Sequence, residues 1–84
     1  MSRRPLDPEA WALRQRIGAS LKRARLKRFR TMQEYADALT ASGLDSTKSA
    51  VSLWESGSRL PELESLYKMA EVLGTTVPAL LPPH

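Results

Sequence analysis

The sequence predicts an all-α domain, a compact bundle of five helices, and three observations carry that reading. Apolar residues recur at three- and four-residue intervals in successive segments, as they must when one face of a helix is buried. Each segment is bracketed by residues that begin or end helices, with Asp, Thr or Pro before it and Gly or Pro after it. No stretch alternates apolar and polar residues with the two-residue period of a strand, and there is no internal repeat or low-complexity tract. The 84 residues make one domain. A chain of this size buries only about 60–65% of its unfolded surface, so the core is modest and a second copy is a natural way to cover leftover apolar surface.

Residues 1–6 carry no pattern and are expected to form a flexible arm, with residues 7–84 as the single domain. Asp7-Pro8-Glu9 starts the first helix, Asp as the cap, Pro where its missing N–H costs nothing, and Glu in the first turn. That helix is expected to run to about Arg28, with Leu13, Ile17, Leu21 and Ala24 as its apolar stripe. Gly18 inside it costs roughly 1 kcal/mol relative to Ala, which points to close approach by another backbone. Phe29-Arg30 breaks the helix, and Thr31-Met32-Gln33-Glu34 reads as a capping box that opens a second. Met32, Tyr35, Ala36 and Leu39 form its inner face, and Ser42-Gly43 ends it.

The third helix lies between Thr47, a cap, and Gly57, a left-handed stop. At about 100° per residue, Ala50, Val51 and Trp54 fall on one side of it, while Lys48, Ser49, Ser52 and Leu53 fall on the other. The second face is small, polar and basic, ends in a bare leucine and carries no acid. It suits a helix of about ten residues laid in a DNA major groove. The plain alternative is an ordinary amphipathic helix in a small bundle, with Leu53 packing against another element. Leu63, Leu66, Ala70 and Leu73 mark a fourth helix ending before Gly74, and Thr76 is expected to cap a short fifth that carries Val77, Leu80 and Leu81. The expected core is Leu21, Tyr35, Ala36, Val51, Trp54, Leu66 and Leu73.

Composition narrows the functions. The net charge is +4, but residues 1–30 hold ten Lys and Arg against Asp7 and Glu9, and residues 31–84 hold three bases against seven acids. A positive end suits a polyphosphate backbone, although charged side chains that merely solvate a helix produce the same count. There is no cysteine, which fits a reducing interior, and neither a signal peptide nor an apolar run long enough to span a membrane, so a cytoplasmic location is expected. His84 is the only histidine, and no phosphate loop or metal-ligand spacing appears; neither enzymatic activity nor a cofactor or metal is expected. Five aromatic residues are too few for a platform that stacks single-stranded bases.

The run Val51-Ser52-Leu53-Trp54-Glu55-Ser56-Gly57, followed by Pro61, resembles the recognition helix and exit turn of the phage repressor and Cro type of helix-turn-helix proteins, the xenobiotic response element family. The resemblance covers roughly Ile17 to Leu81 and includes Gly18, Leu21, Arg25, Thr31, Ala36 and Leu73-Gly74. It implies a lambda repressor-like domain that regulates transcription, most often as a repressor, and binds double-stranded DNA as a homodimer. Lys48, Ser49, Ser52 and Leu53 would face base edges, with Thr31, Met32, Thr47 and Arg59 around them. It further implies an ion pair between Arg25 and Glu55. Pairing of two copies is expected through the last helix, at Val77, Leu80 and Leu81. Three departures stand out: Met32 replaces a phosphate-bonding Gln, Phe29-Arg30 replaces Gly and an apolar residue, and the segment from Leu39 to Thr47 is about five residues longer than the usual turn. A protein-interaction adaptor, or an antitoxin-like partner using the same fold, is the alternative function.

Overall fold

The computed structural model describes residues 7–83. The arm expected at residues 1–6, and His84, lie outside the described residues. Five helices follow in order: α1 (Pro8–Leu26), α2 (Met32–Ala41), α3 (Lys48–Ser56), α4 (Leu63–Leu73) and α5 (Val77–Leu80).

Local chemistry sets most helix ends. Asp7 Oδ1 accepts the Ala10 N–H at 2.8 Å to start α1. The helix stops two residues before the expected Arg28 because the Arg28 and Phe29 N–H groups both turn onto the Arg25 carbonyl, at 2.9 and 2.7 Å. Thr31 Oγ1 accepts the Glu34 N–H at 3.1 Å, which is one arm of the expected capping box. The other arm differs: the Glu34 carboxylate accepts the Thr31 hydroxyl at 3.0 Å. At the end of α2, the Leu44 N–H reaches the Leu39 carbonyl and the Gly43 N–H that of Thr40, the paired bonds of a Schellman turn. Thr40 Oγ1 then bonds both the N–H and the carbonyl of Ser46, at 3.0 and 3.1 Å. The longer turn is thereby tied back onto α2. Thr47 Oγ1 caps α3 through the Ala50 N–H at 3.1 Å. Thr76 precedes α5 but makes no side-chain cap bond, contrary to expectation.

The core gathers around Leu21, Tyr35, Ala36, Leu39, Val51, Trp54, Met69, Ala70 and Leu80. Leu66 and Leu73, expected inside, are half-buried at its edge, and Met69 takes the deeper place between them. Two residues of the expected apolar stripes are exposed. Leu13 lies in the first half of α1, beside Leu81 and the C-terminal prolines, and Leu63 is the first residue of α4. Leu80 corrects a further expectation. It is 0% exposed, because α5 turns it against α1, where the Ser20 hydroxyl donates to the Leu80 carbonyl at 2.8 Å. It belongs to this chain's own core and offers nothing to a second copy; Val77 and Leu81 remain half-buried. Among the described residues no helix is long and apolar enough to cross a membrane.

Candidate nucleic-acid interface

Two glycines bring α1 and α3 together. A Cβ on Gly18 would collide with the Glu55 carbonyl, and one on Gly57 would sit 2.7 Å from the Arg14 carbonyl oxygen. Gly57 also has φ 79°, a backbone state that side-chain-bearing residues rarely adopt. The C-terminal end of α3 is thus laid directly on the α1 backbone. Val51 and Trp54 are buried beneath it.

With that side fixed, the opposite side of α3 must face outward. Lys48, Ser49 and Ser52 are exposed, and Leu53 is 40% exposed. These four residues and Met32, from the first turn of α2, line one shallow concavity that contains no acidic side chain. Met32 is half-buried and packs on the core. Thr31 and Thr47 stand at the starts of α2 and α3, where their hydroxyls already serve as caps. Arg59 is exposed beyond the other end of α3, its N–H bonded to the Leu53 carbonyl at 3.2 Å, and it does not line the concavity. The structure therefore brings five of the eight residues named from sequence into one patch.

Behind the patch, Arg25 Nε donates to Glu55 Oε2 at 2.6 Å and Nη2 to Oε1 at 3.1 Å, a bidentate pair whose side chains are each 4% exposed. Arg25 Nη1 reaches the carbonyls of Phe29 and Arg30, at 3.3 and 3.1 Å. One guanidinium thus joins α1, the corner before α2, and α3. Phe29, a departure from the usual pattern, stacks on Tyr35 with ring centroids 5.4 Å apart. The Tyr35 hydroxyl is buried without a hydrogen-bond partner among the described residues. Burial first, and the Glu55 carboxylate second, hold its phenol protonated well above the ordinary range, with Arg25 opposing them.

Residues 21–80 match the family model described as helix-turn-helix, which is most of the chain. The chain belongs to the helix-turn-helix family of the phage repressor and Cro type. No curated protein and no solved structure matches it significantly. This helix-turn-helix protein is accordingly a DNA-binding regulator at the level the family defines. The matched region begins at Leu21, so the first three turns of α1 lie outside it.

Proposed function

We propose that this helix-turn-helix protein is a non-enzymatic, sequence-specific repressor of transcription that works in the cytoplasm and reads an operator in double-stranded DNA with α3. The observation that carries the reading is the acid-free concavity in which Lys48, Ser49, Ser52 and Leu53 of α3 meet Met32 of α2. Lys48, in the first turn of α3, is placed for guanine O6 and N7 or a nearby phosphate. Ser49 and Ser52 are short enough to let the helix enter deeply, and Leu53 offers an apolar contact to a thymine methyl. The N-termini of α2 and α3, with Thr31 and Thr47, present backbone N–H groups toward phosphates, and Arg59 adds a charge beyond α3. Arg25 is a clamp on α3 in this reading, since all its bonds are internal. Two copies bind together as a homodimer, because pairing half-sites lengthens the sequence read.

Selection of bound sites from random duplexes tests the proposal. A defined motif should emerge, and it should repeat within one site at a fixed spacing. Retention on duplex DNA that falls with salt but yields no motif would reduce the role to non-specific binding. A second reading, an adaptor or antitoxin-like partner of another protein, draws on exposed Leu63 and Tyr67 of the acidic α4. Salt-indifferent elution from duplex DNA would favour it.

A further inference from the structure

We infer that two copies of this chain pair through a belt running from α4 around α5 to the face of α1 beside the C-terminal prolines, with the acidic α4 end of each copy lying on the basic α1 end of the other. The inference specifies how the homodimer of the proposed function is joined, and it stands on surfaces separate from the α3 patch.

The α4 end of the belt is unusual for a solvated helix. Leu63, Glu64, Tyr67 and Glu71 fall within about 100° of one another around α4, on the side opposite buried Met69 and bordering Ala70. Leu63 and Tyr67 are each 64% exposed, more than any other large apolar side chain described. From there the apolar surface does not stop. Tyr67 shares a groove with Val77 and Pro78; these two share the next with Leu81, Pro82 and Pro83. That proline segment in turn forms a groove of about 420 Å³ against Leu13 and Ile17 of α1.

Charge decides how two such belts meet. Arg16 and Arg23 stand on the α1 end, beside Pro82 and Pro83, and neither pairs with an acid among the described residues. On the α4 end Glu64 has no basic partner among the described residues, and Glu71 has a single 3.5 Å contact with Lys68, the one base on that helix. Stacking two belts in the same direction would set acid on acid and base on base. A two-fold rotation sets each acidic end on a basic end and brings Leu63 and Tyr67 onto the groove at Leu13 and Ile17, so one patch complements itself and the assembly closes at two copies. The α3 concavity of both copies stays uncovered, since it shares no residue with the belt.

Sedimentation velocity of the whole chain without DNA provides the test, so a failure here is separate from a failure of operator reading. The native chain should show a reversible monomer to dimer transition with concentration. Arg16→Glu/Arg23→Glu and Glu64→Lys/Glu71→Lys should each weaken it by about tenfold or more, with the helical content of the monomer retained, because all four side chains are exposed. An equimolar mixture of the two variants should dimerise again, one copy being acidic at both ends and the other basic. The chain lacks cysteine, so single Leu13→Cys and Tyr67→Cys chains give a clean second readout. Mixed, they should form a disulfide-linked heterodimer, and neither alone should cross-link efficiently. A native chain that stays monomeric at every concentration, a mixture that fails to re-form dimers, or cross-linking of Tyr67→Cys to itself would each overturn the inference.

Discussion

Arg25 carries four hydrogen bonds inside the protein, two to Glu55 and two to the corner before α2. Removing either partner leaves a buried charge uncompensated, so Arg25→Met or Glu55→Gln should each cost about 3–5 kcal/mol in urea unfolding, and the double variant less than their sum. Additive losses would show that the pair does not act as a unit. Tyr35 lies beside it with an unbonded hydroxyl. Tyr35→Phe removes a desolvated polar group, and unfolding at pH 7 should show a change between zero and a gain of about 1 kcal/mol. Its phenol is raised above its unfolded value, so the stability it contributes is complete below about pH 10 and is lost as pH rises through the folded value. Native protein should therefore weaken above about pH 10 more steeply than Tyr35→Phe. Under the proposed function Leu53, 40% exposed, contacts a base rather than another helix. Leu53→Ala should leave the melting temperature and random-DNA binding unchanged while weakening the selected site by about 1–3 kcal/mol, mostly at one base position.

The position of α3 is set by close backbone contact with α1. In isolation Gly18 is a defect in α1, and Ala there would favour the helix by about 1 kcal/mol. In the folded chain its missing Cβ is the space into which the Glu55 carbonyl fits. Backbone cannot move aside as a side-chain tip can, so Gly18→Ala should lower stability by about 1–3 kcal/mol despite its helical preference. It should also disturb specific DNA binding, because α3 rests on that contact. Thermal melting together with affinity for the selected site checks both, and a stabilised Gly18→Ala protein would count against the close crossing. The turn before α3 shows the same logic on a smaller scale. Its extra length is absorbed by Thr40 and the bonds from Ser46, so α3 still emerges capped and outward.

Across the whole molecule, charge is divided between a basic first third and an acidic remainder. Affinity for random duplex DNA should fall linearly with salt on logarithmic axes, and Lys48→Ala should reduce that slope by about 1 if Lys48 neutralises a phosphate. An unchanged slope with altered site preference would assign Lys48 to a base instead. The basic residues of α1 do not all serve one purpose. Arg25 is internal, whereas Arg16 and Arg23 stand by the C-terminal prolines, on the side of α1 where Ser20 bonds α5 and away from the side that Gly18 and Arg25 turn to α3. A count of charges along the sequence treats these residues as equivalent; the fold separates them.

The sequence alone determined what rests on short-range chemistry. The all-α class, the five elements, the caps Asp7, Thr31 and Thr47, the stop at Gly57 and the polar face of α3 follow from period and local hydrogen bonding, which act within a few residues. Where two apolar positions on one helix compete for depth, periodicity is silent. It assigns Leu13 and Leu63 to the same stripes as Leu21 and Leu66, and only the partners across the interface leave the first two exposed and send Met69 inside. Leu80 shows the limit most plainly. Its place in a short terminal helix made it look available to a second copy, but the direction of α5 relative to α1, set by contact 60 residues away in the chain, closed it into the core. Burial is a property of the neighbours, and the neighbours of Leu80 are supplied by tertiary structure.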